Sequence, residues 1–211
     1  MEDIKGVKPA LQLRSRQRRD KLLKAGMELL KENTILNLSI IDLTAHCGYS
    51  VGTFYSRFVD KQSFFQAVQK AAVDLVLERM EKNFFHVDWS NRPNEEIYQT
   101  YIDTLVDTVE EHTHGVVKES LTYVDKDENF WAPMRACADE ISIYFMQAIQ
   151  PRFLQDDPKK SYNTAAFALQ MMYATMAYAT TGDHGPRRMD QPEFKEDLLR
   201  MFQLYIAIDD I

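Results

Sequence analysis

One short stretch of the chain, residues 48–52, carries residue types and a spacing that could perform chemistry. Gly48, Ser50 and Gly52 spell G-x-S-x-G, the sharp turn that exposes a nucleophilic serine in α/β-hydrolases. That chemistry needs a buried strand directly before the first glycine and a parallel sheet behind it. The residues before Gly48, IIDLTAHC, instead place apolar side chains at helical spacing. A serine hydrolase that uses Ser50 is therefore a remote alternative, and we predict that the protein is not an enzyme.

The same residues fit the turn and the second helix of a DNA-binding helix-turn-helix. Ser39 opens a capping-box pattern at the start of one helix, and Gly48 can end that helix because glycine accepts positive φ. Ser50 then stands at the N-cap of a second, short helix. On that helix Phe54 and Phe58 are four residues apart, so both can turn inward and fix the helix to its neighbours. In this interpretation Ser50 is a helix cap.

The outer side of that short helix carries groups that suit a nucleic acid. Gly52 removes the side chain that would hold the backbone away from a duplex. The hydroxyls of Ser50, Thr53 and Tyr55 can hydrogen-bond a phosphate or a base edge. Lys61, at the start of the next helix, adds a cation and free backbone N–H groups toward a phosphate. The pattern predicts a DNA-reading surface.

The charge distribution supports this prediction. The net charge is −7, but residues 1–70 sum to +5 and residues 71–211 sum to −12. A phosphate backbone responds to the local field, so an acidic total does not exclude nucleic acid. The segregation favours a basic module that meets a polyanion, joined to an acidic module that does not.

The elements that must position these residues are all predicted to be helical. Glycine and proline are few, at 7 each in 211 residues, and no stretch alternates apolar and polar residues as a strand does. A first helix from Arg14 has an apolar face and a cationic N-terminal half. Three helices within about sixty residues then give way to longer ones. These are predicted at about 60–83, 94–113, 116–124, 129–150, 161–181 and 192–208.

The run SIIDLTAHCGYSVGTFYSRFVDK, residues 39–61, resembles the N-terminal signature of TetR-family transcriptional regulators. In that signature Ser or Thr opens the second helix, a small-residue turn leads to a Gly-Thr-aromatic-Tyr helix, and Phe and Lys follow at fixed offsets. With the first helix, the resemblance covers about residues 14–70. The chain departs from the commonest pattern at Thr44, Cys47, Tyr49 and Arg57.

The resemblance implies an all-α fold with a three-helix helix-turn-helix DNA-binding domain, followed by a larger helical ligand-binding and dimerisation domain. The corresponding division is a flexible arm at 1–13, the DNA-binding domain at 14–60 and the second domain at 61–211. The expected DNA contacts are Ser39, Tyr49, Ser50, Val51, Gly52, Thr53, Tyr55 and Lys61. As alternatives, the two serines act only as caps and Tyr55 only shields the core.

The resemblance also implies a homodimer, because one three-helix unit per half-site needs a partner to read a palindromic operator. The helices at 161–181 and 192–208 fit the dimerising pair, the first because it is rich in small residues. The second carries the expected dimerisation stripe Phe194, Leu198, Met201, Phe202 and Tyr205. The alternative is that these helices close the core of a monomer.

The acidic part is rich in aromatic residues and methionine, which could line a pocket for a small apolar or aromatic effector. Tyr101, Tyr123, Met172 and Met176 are the expected effector-binding residues, because their helices surround the cavity in related regulators. Asp103, Asp107 and Glu111 recur every four residues. That acidic row is either a solvated face or a means of selecting a cationic effector.

Several other features are given no site. Cys47 and Cys137 form no disulfide or metal motif, and the N-terminus shows no secretory signal, which favours the cytoplasm. His112 and His114 are two residues apart and point in different directions on a helix, so no metal or other cofactor is expected. Residues 161–182 are uncharged but too polar for a membrane span, so we expect a helix that is buried on most sides within an α-helical domain. We predict a repressor that its effector releases from DNA, or alternatively a regulator that senses no ligand.

Overall fold

The structure is a computed structural model, and the described residues are 4–10, 12–123, 130–181 and 185–208. Within these ranges the regular structure is helical, and extended pairing is confined to isolated bridges. The predicted all-α fold is confirmed. The helices are α1 (Leu13–Leu29), α2 (Ile40–His46), α3 (Val51–Tyr55), α4 (Lys61–Met80), α5 (Asn94–Thr108), α6 (His114–Thr122), α7 (Ala132–Ile149), α8 (Pro158–Thr180) and α9 (Pro192–Tyr205).

Two π-helical turns extend helices that the sequence predicts as longer. Glu81–Phe85 follows α4, and Val109–Thr113 follows α5 and leads directly into α6. A 3-10 turn, Gln150–Arg152, follows α7. The predicted helix boundaries at 124 and 129, and part of the stretch between the helices predicted at 161–181 and 192–208, fall on residues 124–129 and 182–184, outside the described residues.

The chain forms two compact units. The first comprises Met1–Leu75 and His112–Met134, and the second comprises Val76–Glu111 and Arg135–Ile211. Helix α4 therefore begins in the first unit and ends in the second. The predicted domain boundaries after residues 13 and 60 remain predictions. In the structure, α6 belongs to the first unit.

Aromatic packing at α3 and α4 builds the core of the first unit. Phe54, Phe58 and Phe64 are fully buried, with ring centroids 5.0–5.3 Å apart. Gly26 on α1 makes room for them, because a Cβ there would lie 2.7 Å from Phe64 Cζ. Burying each such ring contributes about 2–3 kcal/mol. The short helix α3 is therefore held by packing, since five residues are too few to form a stable helix alone.

Helix α6 completes this unit through close backbone approach and buried polar contacts. A Cβ on Gly115 would overlap the Leu30 carbonyl. One turn later the buried Glu119 carboxylate accepts the Ile35 N–H at 2.9 Å. The Gln69 amide donates to Ser120 Oγ and to the Phe130 carbonyl, both at 2.8 Å. These contacts fix α6 against the end of α1 and against α4.

The N-terminal residues 4–10 are packed in the first unit, which corrects the prediction of a flexible arm for this part of 1–13. The Val59 N–H donates to the Gly6 carbonyl at 3.0 Å, and the Lys8 N–H donates to the Arg57 carbonyl at 2.7 Å. Gly6 has φ +87°, and a Cβ there would lie 2.8 Å from Ser63 Cβ. Both features require glycine at this close approach.

The second unit has its own aromatic core and a buried arginine. Tyr101 lies between Phe84 and Phe145, with centroid distances of 5.2 and 4.7 Å. The guanidinium of Arg152, only 2% exposed, donates to the Asn94 side-chain carbonyl and to the Trp89 carbonyl, both at 2.6 Å. These hydrogen bonds join the 3-10 turn to the start of α5 and the segment before it.

Helix α8 is buried along one face only. Ser161, Ala165, Ala168, Leu169, Met172, Met176 and Thr180 are buried, while Tyr162, Phe167 and Tyr178 are exposed. The expectation of a helix buried on most sides is wrong, because an uncharged exposed face looks like a buried one in sequence. Among the described residues no helix is long and apolar enough to cross a membrane.

Candidate nucleic-acid interface

The segment before Gly48 is a helix, whereas the hydrolase interpretation requires a β-strand there. Helix α2 ends at His46, and Gly48 follows with φ +70°. The Tyr49 N–H donates to the Thr44 carbonyl at 2.8 Å, which closes the end of the helix. Ser50 then begins α3. The G-x-S-x-G pattern is thus the turn of a helix-turn-helix.

Side-chain caps define two of the helix starts. Ser39 Oγ accepts the Asp42 N–H at 3.2 Å at the start of α2. At the start of α4, Asp60 Oδ1 accepts the Ser63 N–H at 2.7 Å, and Ser63 Oγ accepts the Asp60 N–H at 3.2 Å. This reciprocal pair forms a capping box whose two members are Asp60 and Ser63.

Ser50 occupies the N-cap position without making a capping hydrogen bond. Its backbone is extended, with φ −85° and ψ 156°, but no backbone N–H donates to its side chain. Its hydroxyl lies 3.3 Å from Thr53 Oγ1 instead. The cap prediction for Ser50 is correct in position and wrong in hydrogen bonding. The Ser50 hydroxyl therefore retains hydrogen-bonding capacity at an exposed position.

Helix α3 has a buried side and an open side. Phe54 is buried, whereas the next residue, Tyr55, is 48% exposed with its ring edge-on to Phe54 at 5.3 Å. At Gly52 a Cβ would meet only Ser50 Oγ, at 3.7 Å. Val51 and Thr53 are half-buried. The structure thus brings most of the predicted contact residues onto one small surface that other described residues do not cover.

Tyr49 is held by Lys21 of α1, a residue that the sequence did not single out. The Lys21 ammonium lies 5.4 Å from the centre of the Tyr49 ring and donates to the Cys47 carbonyl at 2.9 Å. Burial raises the pKa of the Cys47 thiol, and the Lys21 charge offsets part of that rise. Lys21 thereby fixes the end of α2 and the orientation of the turn.

Two more cations lie next to α3: Lys8, which the sequence did not single out, and Arg57, which it marked only as a departure from the family pattern. The Lys8 ammonium donates to the Tyr55 carbonyl at 2.9 Å. The Arg57 guanidinium donates to the Pro9 carbonyl at 3.2 Å and to Ser15 Oγ. Both interactions depend on the packed N-terminal segment. Nothing in the local sequence indicates that this segment returns to α3.

Lys61 is the first residue of α4, as predicted, and is half-buried. Its ammonium donates to the Leu36 carbonyl in the α1–α2 turn at 2.9 Å. Two of its three N–H groups remain for a phosphate. The contact role of Lys61 stays a prediction, and the turn restrains where its ammonium can reach.

The four expected effector residues do not form one cluster in either unit. Tyr101, Met172 and Met176 lie buried in the second unit. Tyr123 lies in the first unit and stacks on Phe130 at 5.2 Å. Burial raises the pKa of Tyr101 well above that of a free tyrosine, and its hydroxyl hydrogen-bonds that of Tyr173. Tyr101 is a core residue in this structure.

Each unit contains a cleft of ligand size. We call the one in the first unit the head cleft; it has a volume of about 590 Å³. Its walls include Ile35, Leu36, Lys61, Phe65, Tyr123 and Phe130. The cleft in the second unit has a volume of about 310 Å³, and its walls include Phe84, Phe85, Trp89, Tyr144 and Arg152. Of the expected effector residues, only Tyr123 lines either of these two clefts.

The predicted dimerisation stripe is mostly a core face. Phe194, Leu198 and Phe202 are buried within the protomer, and Phe202 packs against Tyr98 at 5.6 Å. Met201 is half-buried, and only Tyr205 is well exposed. The prediction that these three residues form the dimer interface is therefore withdrawn, because side chains buried within their own chain cannot contact a partner.

The acidic row on α5 meets a cation from the same unit. Lys195 of α9 lies 3.2 Å from an Asp103 carboxylate oxygen and 2.9 Å from one of Asp107. Burial lowers the pKa of Lys195, but the hydrogen bonds to Asp107 and Asp103 outweigh this and raise it overall. The predicted solvated face describes these carboxylates, because the side chains of Asp103 and Asp107 are 37% and 51% exposed, and Lys195 already occupies the place that a cationic effector would take.

Comparisons with known proteins agree with this geometry. Residues 22–68 match the family model for bacterial regulatory proteins of the TetR family. Among curated proteins none matches the chain significantly.

Solved structures share the fold at low sequence identity. A TerR/AcrR-family transcriptional regulator from Aquifex aeolicus VF5 is 16% identical, with a TM-score of 0.59 over 89% of this chain and 98% of that one. A protein from Mesorhizobium loti MAFF303099, assigned to the TetR-family regulators, is 14% identical, with a TM-score of 0.65 over 93% and 100%. A TetR transcriptional regulator from Rhodococcus sp. RHA1 is 14% identical, with a TM-score of 0.53 over 92% and 98%.

Proposed function

We propose that the chain is a DNA-binding transcriptional regulator of the TetR family, a repressor released from a palindromic operator by a small apolar or aromatic effector. The match of residues 22–68 to the TetR-family model and the fold shared with solved regulators support this proposal. Its operator DNA lies in the cytoplasm, and the proposal places the protein there. The observation that carries the DNA-binding part is the open side of α3, where Gly52, Thr53 and Tyr55 lie beside buried Phe54.

The reading surface suits a major groove because its backbone can approach closely. Gly52 leaves the outer side of α3 without a side chain, and the neighbouring hydroxyls can reach phosphates or base edges. Ser39 and Lys61 stand at the starts of α2 and α4, where free N–H groups favour a phosphate. We propose contacts from all eight predicted residues, with Tyr49 oriented by Lys21.

We propose that dimerisation uses the exposed side of α8 and α9. The large apolar residues exposed there are Tyr162, Phe167, Tyr178, Leu204 and Tyr205. Phe167 and Tyr205 contact across the two helices with ring centroids 5.8 Å apart. An apolar surface shared by two adjacent helices is typical of an interface. In a symmetric dimer the same surface of each copy would meet its twin.

The effector part of the proposal is supported by the two clefts and by the continuity of α4. Ligand-binding pockets typically have volumes of about 300–1,000 Å³, and both clefts lie in that range. An effector would act by binding more tightly to one arrangement of the reading domains than to the other. The two reading helices must be spaced by about one turn of DNA, ~34 Å. A preference for cationic effectors is not retained, because Lys195 already pairs with Asp103 and Asp107.

Fluorescence anisotropy with the DNA upstream of the gene tests DNA binding. The wild type should bind at low salt, and Thr53→Ala should weaken binding by about tenfold, because one well-made base or phosphate contact contributes about 1–3 kcal/mol. Thr122→Ala, at an exposed position on α6, is the matched control and should bind as the wild type does. A folded, dimeric protein that does not bind this DNA would refute the proposal.

The alternative, a regulator that senses no ligand, predicts a different result in a thermal-shift screen. If an effector exists, at least one apolar or aromatic compound should raise the midpoint of unfolding, because a ligand that binds only the folded state stabilises it. The same compound should also lower the affinity for DNA. A library that produces neither effect would favour the alternative and leave the DNA-binding result untouched.

A further inference from the structure

The head cleft combines an aromatic wall with a cation and lies within the unit that carries α3. The rings of Phe65 and Phe130 are stacked with centroids 6.1 Å apart and an interplanar angle of 19°. Tyr123 continues the stack at 5.2 Å and 26° from Phe130. Phe65 and Phe130 are buried, so the apolar surface open to a ligand comes mainly from Tyr123 and from Leu36, which is 69% exposed.

The charges at the rim favour an anion on one side of the cleft. The Lys61 ammonium is hydrogen-bonded to the neutral Leu36 carbonyl, and among the described residues no carboxylate lies within ion-pair distance of it. Two of its N–H groups therefore remain for a ligand. The Asp60 carboxylate accepts the Ser63 N–H at 2.7 Å and the Glu119 carboxylate accepts the Ile35 N–H at 2.9 Å, but both keep their negative charge, so a ligand carboxylate is favoured only on the Lys61 side of the cleft. The favourable position for a negative charge is thus beside Lys61, with an aromatic ring toward Tyr123.

We propose that the head cleft binds a planar aromatic carboxylate, with its ring against Tyr123 and Leu36 and its carboxylate paired with Lys61. The volume of about 590 Å³ accommodates one or two fused rings with a substituent. This site is distinct from the effector site predicted at Tyr101, Met172 and Met176, which lie buried in the second unit.

The consequence for regulation rests on the proposed function. Lys61 is one of the proposed phosphate contacts, so a carboxylate bound to it competes directly with DNA. Each phosphate contact contributes about 0.9 to the slope of log affinity against log salt. A saturating ligand should therefore weaken DNA binding and reduce the magnitude of this slope by about two, because each protomer of the dimer loses one phosphate contact.

Binding is tested first without DNA, by isothermal titration calorimetry of the full chain with 2-naphthoate. The neutral 2-naphthylmethanol, which has the same ring, should bind at least about tenfold more weakly, because a hydrogen bond to a charged group contributes more than a factor of ten in affinity. Lys61→Gln should weaken naphthoate binding by a similar factor, and Leu36→Asn should also weaken it. Leu13→Asn and Lys159→Gln replace an exposed leucine and an exposed lysine outside the cleft, and they should keep the wild-type affinity.

The outcomes separate this inference from the proposed function. No heat of binding with 2-naphthoate, or equal affinity in the wild type, Lys61→Gln and Leu36→Asn, would overturn the site. Equal binding of the alcohol would overturn the role of the charge. Circular dichroism spectra and unfolding midpoints of the variants show that each remains folded. The anisotropy measurement without ligand tests DNA binding independently, so a chain that binds naphthoate but no DNA would refute only the proposed function.

Discussion

Gly52 on α3 and Gly115 on α6 have very different surroundings in the folded protein. At Gly52 an added Cβ would meet open space apart from Ser50 Oγ, so the folded protein itself does not require glycine there. At Gly115 an added Cβ would overlap the Leu30 carbonyl, so the close approach of α6 to the end of α1 does require it. The two positions therefore predict opposite effects on stability.

Gly52→Ala should separate stability from DNA binding. We expect stability to stay the same or to rise by up to about 1 kcal/mol, because alanine favours a helix. DNA affinity should fall by about tenfold or more, because the methyl group holds α3 away from the duplex. Urea unfolding and anisotropy measure the two effects. A variant with normal DNA affinity would show that α3 does not approach the duplex at Gly52.

Gly115→Ala should do the reverse. The overlap with Leu30 must be relieved by moving backbone, and overpacking of this kind costs about 1–3 kcal/mol. We expect a loss of stability within that range in urea unfolding, despite the higher helix propensity of alanine. Gly52→Ala is the matched control. An unchanged unfolding midpoint for Gly115→Ala would mean that α6 does not lie against α1 as closely as the structure shows.

Tyr173 predicts how stability depends on pH above 10. Burial raises the pKa of Tyr173 to about 12, while hydrogen bonds with Ser142 and Tyr101 offset part of the rise. The unfolded chain ionises near pH 10, so the stability from this group is complete below pH 10 and is lost as the pH rises through 12. The expected loss is about 2–3 kcal/mol.

The measurement compares urea unfolding of the wild type and Tyr173→Phe between pH 9 and pH 12. Tyr173→Phe should be less stable than the wild type at pH 9, because it loses a hydrogen bond with Tyr101, but its stability should decline less steeply toward pH 12. Tyr55→Phe changes a phenol that is 48% exposed and should follow the wild type. If the free energies of unfolding of the wild type and Tyr173→Phe fell equally with pH, the phenol of Tyr173 would not be buried.

At the scale of elements, the N-terminal segment 4–10 acts as a support for α3. Its backbone pairs with residues 57 and 59, and Lys8 donates to the last turn of α3 at Tyr55. Gly6 enables this pairing through its positive φ and its closeness to Ser63. Helix α3, the proposed reading helix, is therefore held both by phenylalanine packing and by this segment.

Gly6→Ala should weaken the backbone pairing of segment 4–10 with residues 57 and 59. Positive φ costs a residue with a side chain about 1–2 kcal/mol, and the new Cβ would also meet Ser63. We expect the Val59 amide, which donates to Gly6, to exchange with solvent about tenfold faster in hydrogen-exchange measurements. Lys5→Ala, at the neighbouring exposed position, should leave this rate unchanged. Equal protection in Gly6→Ala would show that the segment does not depend on Gly6.

For the whole chain, the exposed apolar face of α8 and α9 suits a second copy of the protein, and the separation of basic from acidic residues suits DNA. The basic residues 1–70 suit DNA, and the acidic remainder of the chain avoids it. Two copies joined through α8 and α9 would present two reading helices to one palindrome. Because the predicted stripe on α9 is buried in the protomer, the proposed pairing uses the exposed side of the helix instead.

Leu204→Glu tests that assembly. Leu204 is 77% exposed on α9, and a symmetric interface would bring its two copies, and so two new charges, into the buried surface. We expect sedimentation velocity to show monomers, and DNA affinity to fall with the loss of the second half-site. Ile143→Glu, at a position 56% exposed on α7, should remain dimeric. A dimeric Leu204→Glu protein would exclude this face.

The sequence by itself determined the features that depend on neighbours along the chain. The spacing of Ser39, Gly48 and Phe54 fixed the helix-turn-helix, because caps, a positive φ and a four-residue repeat act within one or two turns. The residues of the open side of α3 followed from the same local pattern. The basic and acidic halves of the chain could also be read directly from composition.

Only the tertiary structure decided which apolar faces are enclosed and which distant segments meet. The stripe at Phe194, Leu198 and Phe202 looks the same in sequence whether it packs on α5 or on a second copy. Likewise Lys8 reaches Tyr55, and Lys195 reaches Asp107, only after the chain has folded back over 47 and 88 residues. Burial and ion pairing depend on such long-range contacts, and a local pattern does not contain them.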